Sequence, residues 1–174
     1  RLVPFPGFLG DVYKSLGELF LYTRQYQHAQ RFFKKLLDHP EFGYLAAYYL
    51  GRAYISLNKP KNAIQYFRMF LAHEPDSAIA NAKIALCHLE LEEFERAREA
   101  CERALEAEPG NVIARFTRGC TSMAENRYDE AVEDFRGILD EDADYFPAYV
   151  EMVKARFLQG DYRWLFESLA AEIR

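Results

Sequence analysis

The chain has 174 residues, half of them hydrophobic and 28% charged, with a formal net charge of −5. That is globular composition with chain enough for a sizeable core, and no apolar run approaches the roughly 18 residues that suggest a membrane-spanning helix. Charge is uneven: residues 1–77 carry ten Lys/Arg against six Asp/Glu, and residues 78–145 carry eight against seventeen. An acidic chain without a basic stripe argues against nucleic acid as the partner. Cys87, Cys101 and Cys120 are odd in number and form no CxxC pair, which points to a reducing, cytoplasmic compartment rather than a disulfide framework. The first residue is Arg1 and no signal-peptide pattern follows, so the chain reads as a fragment.

The opening stretch RLVPFPGFLG carries two prolines, which forbid a regular helix there. Residues 1–9 are expected to form a linker, or a lid with Phe5 and Phe8 packed over the first helix. From residue 10 a 34-residue period takes over, in units 10–43, 44–77, 78–111, 112–145 and a shortened 146–174. Unit one carries Leu16-Gly17, Phe20, Ala29 and Phe33, and unit two Leu50-Gly51, Tyr54, Ala63, Phe67 and Pro75. Unit three has Ile84-Ala85, His88, Ala97, Cys101 and Pro109, and unit four Arg118-Gly119, Ser122, Ala131 and Phe135. In unit five the same places hold Met152-Val153, Arg156, Leu165 and Leu169. Each unit contains two helical patterns. The first ends at TRQY, NKPK, LEEF, ENRY or QGDY, where turn-forming residues stop the helix. The second shows apolar residues at helical spacing, such as Ala63, Ile64, Phe67, Phe70 and Leu71.

This period and these residues resemble the tetratricopeptide repeat, whose pattern runs W-x2-L-G-x2-Y, A-x3-F, P. Unit two matches all of it except the Trp, replaced by Ala47. The resemblance covers residues 10–174 and implies an all-α, right-handed superhelical solenoid of helix–turn–helix repeats, four full and one partial. In such repeats the Gly or Ala after the Leu lets the paired helices approach closely. Gly17, Gly51, Ala85 and Gly119 hold that place, opposite Ala29, Ala63, Ala97 and Ala131. Arg118 and Ser122 in unit four, and Leu165 in unit five, depart from the pattern and lead to an expectation of less regular packing there.

Stacked repeats of this kind offer a concave binding surface. The resemblance implies that first helices line it at repeat positions 2, 5, 9, 12 and 13. Among the residues this places there are Leu45, Tyr48, Ile55, Ile79, Ala82, Leu86, Leu89, Ile113, Phe116, Met123, Val150 and Phe157, with Arg52 among them. An apolar trough of this kind suits the apolar face of a helix or an extended peptide. Tyr48, Arg52, Ile55, Leu86, Phe116 and Met123 are the principal contacts expected, with Arg52 fixing a carboxylate by two parallel hydrogen bonds. A self-packed interior, or a groove filled by other parts of the same chain, would account for the same stripe. Family members that bind the acidic tails of heat-shock chaperones use a Lys, Asn, Asn, Lys, Arg set. The matching positions here hold Lys14, Glu18, Tyr49, Ile79 and Lys83, which argues against that ligand.

No chemistry emerges. Cys87 and His88 are adjacent and point about 100° apart on a helix, so they cannot readily share a metal. His88 and Cys101 fall in core slots, and no nucleophile–base–orienter set is present. The runs LEEFERAREACERALEAE and YDEAVEDFRGILDEDAD read as solvated outer faces with i,i+4 pairs. At the far end, Trp164 and Phe166 lie on a helix that no later repeat covers, so the array is expected to continue, meet another domain or pair with a second copy. The function read from all this is a non-enzymatic protein-interaction scaffold or adaptor without metal or cofactor. The alternative is a regulatory or docking domain of a larger enzyme.

Overall fold

A computed structural model describes residues 7–164, 166 and 167. Its described residues form nine helices: α1 (Gly7–Tyr22), α2 (Tyr26–Leu36), α3 (Gly43–Ser56), α4 (Pro60–Leu71), α5 (Ala78–Glu90), α6 (Phe94–Ala107), α7 (Val112–Ala124), α8 (Tyr128–Glu141) and α9 (Phe146–Gln159), with further helical residues at 162–164. The second helices of units one to four begin at residues 26, 60, 94 and 128, one period apart.

The turn inside each unit is built the same way five times. Arg24, Asn58, Glu92, Asn126 and Gly160, each 34 residues from the next, adopt positive φ. The amide that follows each of them donates to a carbonyl five residues back: Gln25 to Phe20, Lys59 to Tyr54, Glu93 to His88, Arg127 to Ser122 and Asp161 to Arg156, all at 2.8–3.0 Å. This closes the first helix on a left-handed residue and satisfies its orphaned carbonyls. Between units, Ser77 and Asn111 cap α5 and α7 by accepting from the amides of Ala80 and Ala114.

Within a unit the two helices meet through glycine and phenylalanine. A Cβ on Gly17 would stand 2.6 Å from the Phe33 ring, one on Gly51 2.7 Å from Phe67, and one on Gly119 2.7 Å from Phe135. Each of those rings is fully buried, as are Ala29, Ala63, Ala97 and Ala131 beside them. In unit three Ala85 replaces the glycine and the smaller Cys101 replaces the phenylalanine, so the same gap is filled by a different division of volume. The helix-propensity cost of a central glycine is therefore offset by the ring that occupies its place.

Unit four packs as regularly as its neighbours. Arg118 and Asp134, at places held by Leu50 and Tyr66 in unit two, close on each other through paired hydrogen bonds of 2.6–3.2 Å. The ends depart from expectation. Residues 7–9 extend α1 instead of forming a separate segment, and Phe8 is 66% exposed, so it does not pack as a lid. Phe5 lies outside the described residues, as do Leu165 and Leu169. Trp164 is not left uncovered: it packs on the core of units four and five, with the Arg156 guanidinium 5.6 Å from its ring. Phe166 is 73% exposed.

A left-handed conformation costs a non-glycine residue about 1–2 kcal/mol, while glycine loses more chain entropy on folding. The Glu92→Gly variant is expected to raise stability by about 0.5–1 kcal/mol in a urea titration, and Asn58→Gly to change it little, since Asn tolerates that region. Destabilisation by Glu92→Gly would contradict the turn assignment.

Candidate functional site

First helices meet at α1 with α3, α5 with α7 and α7 with α9, though α3 and α5 do not pack closely, whereas second helices meet chiefly their sequence neighbours. That makes the first-helix layer the inner one of the curved stack, and the candidate residues divide along it into two unlike groups.

The first group lies on α3, between α1 and α5. Tyr48 is half-buried, tilted on Phe70 at 5.1 Å and edge-on to Phe67 at 5.8 Å. It belongs partly to the core instead of projecting freely, because its helix must also cover the aromatic second helix beneath it. Ile55 is likewise packed at the core margin. Arg52 is exposed, with its guanidinium 5.9 Å from the Tyr48 ring and 5.8 Å from that of Tyr49. Tyr49 stacks on Phe33 at 4.9 Å, and burial together with the neighbouring Glu18 carboxylate pushes its hydroxyl up to about 12. On α5, burial and the nearby Arg52 charge lower the pKa of Lys83. Among the described residues neither Arg52 nor Lys83 has a carboxylate partner, while Lys14 is paired with Glu18 at 3.8 Å.

The second group lies on α7 and α9. Phe116 packs on Phe135 at 5.6 Å and Tyr145 at 6.2 Å. Met123, Val153, Phe157 and Leu158 line an apolar hollow of about 340 Å³, with Lys154 at its edge. Val153, half-buried, sits where other units carry the small residue after Leu, and adds a side chain where glycine would leave none. That departure was the one sequence signal for its role. Lys154 is paired with Glu151 at 2.7 Å. Phe157 is 55% exposed.

Between the groups the trough is interrupted. Where α5 meets α7, Ala82, Ala104 and Ala114 are fully buried against Leu105 and Ile113. Ala82, expected on the open face, lies in this seam because three alanines let the helices close on one another. Leu86 stays half-buried on α5. The apolar trough is therefore two subsites instead of one channel.

The second-helix side has a hollow of about 350 Å³ between α6 and α8, lined by Arg98, Arg115, Arg118, Glu130, Glu133 and Asp134 among others. Its arginines are spent internally. Arg98 bridges Glu125 at 2.6 Å and Glu130 at 3.3 Å, and Arg115 holds Glu141 at 2.8 Å and the Gly137 carbonyl at 2.8 Å. Bonding to Asp134 raises the pKa of Arg118. These pairs cross between helices instead of running i,i+4 along one, which the sequence pattern alone does not reveal. Burial pushes the thiols of Cys87, Cys101 and Cys120 up to about 12, so none is a ready nucleophile. His88, in its core slot, is bonded to Glu93 at 2.6 Å. Among the described residues no group of His, Cys, Asp and Glu is placed to hold a metal, and no helix is long and apolar enough to cross a membrane.

The sequence profile described as tetratricopeptide repeat matches residues 15–78, 57–112 and 83–146. Sperm-associated antigen 1 of Rattus norvegicus is 34% identical over 84 residues, which is 48% of this chain and 9% of that protein. The chain thus spans about a tenth of that relative. A crystal-type neighbour in fold, MamA from residue 41 to its end from Desulfovibrio magneticus RS-1, superposes with a TM-score of 0.84 at 17% identity, over 95% of this chain and 93% of that one. The second tetratricopeptide repeat domain of human RPAP3, in complex with an HSP70 peptide, superposes with a TM-score of 0.57 at 23% identity, over 61% of this chain and 88% of that one.

Arg118 is about a third exposed while Asp134 is nearly buried, so removing the cation strands a carboxylate. Arg118→Leu is expected to cost about 2 kcal/mol of stability, after allowance for solvent at the arginine, and Arg118→Leu/Asp134→Tyr to recover most of it by restoring the apolar pair of unit two. Chemical denaturation of the three proteins checks this. Equal losses in the single and double variants would show that the pair carries nothing.

Proposed function

The chain belongs to the tetratricopeptide repeat family, and we propose that it is a protein-interaction scaffold that holds a partner segment against its first-helix face. The observation carrying this reading is the apolar hollow on the first-helix face. Around the α6/α8 hollow Arg98, Arg115 and Arg118 are neutralised within the chain. On the first-helix side Arg52 and Lys83 have no carboxylate partner among the described residues, and Met123, Val153, Phe157 and Leu158 line an apolar hollow between α7 and α9. Unsatisfied charge beside exposed apolar surface is the signature of a surface completed by another molecule. The RPAP3 domain, which holds a peptide, supports the same use of the fold. The HSP70-type ligand itself is not favoured here: Lys14 is engaged by Glu18, and Tyr49 and Ile79 stand at other positions of that binding set.

A second reading, a docking domain within a larger protein, is supported by the small share of sperm-associated antigen 1 that this chain matches. In either reading the binding is non-enzymatic. The three free cysteines fit a reducing, cytoplasmic setting. A second copy, if one associates, would meet the exposed Phe166 and not Trp164, which is engaged internally.

Affinity capture from a lysate tests the reading. Arg52→Glu and Phe157→Glu alter exposed side chains and leave the packed Tyr48 and Phe116 in place. A protein retained by the wild-type chain and reduced about tenfold by the double variant, with unchanged circular dichroism, supports the groove. Equal recovery on both would move the site to another surface.

A further inference from the structure

We propose that the hollow between α4 and α6, on the second-helix side, binds a phosphorylated side chain of a partner protein. The site stands apart from the first-helix face and does not depend on the groove proposed there.

The hollow measures about 360 Å³. Its rim carries the exposed Arg68 of α4 and Arg96, Glu99 and Arg103 of α6, and its floor is formed by the buried Asn81, Ile84 and His88 of α5. Each of these residues except His88 has its counterpart, 34 residues on, in the lining of the α6/α8 hollow. The two hollows are therefore the same place in successive units, and their charges are exchanged. In the α6/α8 hollow the rim positions hold Glu102, Glu130 and Glu133, and the chain supplies the cations itself, Arg98 to Glu130 and Arg118 to Asp134. In the α4/α6 hollow Arg68 and Arg96 stand in the places of Glu102 and Glu130, and Arg103 replaces Gly137. The floor places of Arg115 and Arg118 hold the uncharged Asn81 and Ile84. The rim is reversed in sign, and the floor offers no counter-charge.

The carboxylates nearby leave a positive excess. Glu93 is shared between Arg96 at 3.2 Å and His88 at 2.6 Å, and Glu99 reaches Arg103 only at 4.0 Å. Arg68 has no carboxylate partner among the described residues. His88 adds an independent sign. It is 4% exposed and lines the hollow, its Nδ1 is engaged by Glu93, and its Nε2 has no hydrogen-bond partner among the described residues. A buried polar atom without a partner is unfavourable, and an oxyanion in the hollow would accept from Nε2 when the ring is protonated.

The shape of the site favours phosphate over carboxylate. Guanidiniums stand on both rims, one from α4 and two from α6. A planar carboxylate suits a single guanidinium, whereas a phosphate monoester carries nearly two charges on three acceptor oxygens and can engage both rims at once. No Phe, Tyr or Trp lines the hollow, so nothing in it stacks on a nucleobase. It shares Pro75, Asn81 and Arg103 with an adjoining hollow of about 530 Å³, which leaves room for the peptide chain that carries the phosphate.

The test titrates the 174-residue chain with N-acetyl-phosphoserine amide, N-acetyl-glutamate amide and inorganic phosphate, following arginine Nε–H, histidine ring and backbone amide signals by NMR. The phosphoserine amide should move the signals of Arg68, Arg96 and His88 saturably and bind at least about fivefold more tightly than the glutamate amide. Arg68→Gln and Arg96→Gln should each weaken it by about fivefold. Both side chains are exposed, so the fold should be kept, which circular dichroism checks. Arg136→Gln removes an exposed arginine of α8 outside both hollows and should leave binding unchanged. Equal binding of the glutamate amide would overturn the phosphate assignment. Binding of inorganic phosphate without the phosphoserine amide would overturn the partner protein as its source. Equal losses in Arg68→Gln and Arg136→Gln would show an adventitious ion only, and no saturable binding of any probe would overturn the site.

Discussion

Every unit depends on how closely its two helices approach, and in units one, two and four that distance is set by a phenylalanine ring lying where a glycine has no side chain. Phe33 on Gly17, Phe67 on Gly51 and Phe135 on Gly119 repeat one contact at one period. The left-handed turn at Arg24, Asn58, Glu92, Asn126 and Gly160 fixes the angle at which the second helix returns. With distance and angle both repeated, the units stack without insertion, and the first helices fall side by side as the inner layer. The face on which a partner is proposed to sit is thus a consequence of a packing constraint buried behind it.

The two faces then divide their charge differently. The acidic middle of the chain, seventeen carboxylates against eight basic residues, places Arg98, Arg115 and Arg118 between helices α6, α7 and α8, where they are matched. Such pairs contribute modestly to stability when partly solvated. Arg52, from the basic first third, is not matched in this way among the described residues and lies exposed on the inner face. The imbalance visible in the amino-acid counts becomes, in three dimensions, a difference in what each surface still needs.

Much of this was legible in the sequence. The 34-residue spacing of Gly, Ala and Phe gives the helices, their pairing and the buried set, because those residue types are demanded by close approach and appear wherever it occurs. His88 and Cys101 were readable as core for the same reason. Contacts that depend on the placement of one helix against another were not. Arg118 and Asp134 are 16 residues apart, and nothing in either helix alone shows that they meet. Arg24 and Glu92 carry no mark of a left-handed residue, since their conformation is imposed by the turn. Tyr48 reads as surface from its direction on α3, but its long ring folds back onto Phe67 and Phe70. Ala82 follows the periodicity of an open position and is buried by a local closure of α5 on α7. Trp164 looked uncovered only because its packing on units four and five lies outside any period.

The central claim is that the glycine–phenylalanine contact sets the spacing within units one, two and four, and unit three shows the alternative solution with Ala85 and Cys101. The most direct measurement is a double-mutant cycle that transplants this solution into unit two: Gly51→Ala, Phe67→Cys and the pair together, each followed by chemical denaturation. Gly51→Ala is expected to destabilise the native sequence by about 1–2 kcal/mol, overpacking outweighing its gain in helix propensity. In the Phe67→Cys background, where the ring is gone, the same substitution should become stabilising. Destabilisation of equal size in both backgrounds would contradict the account.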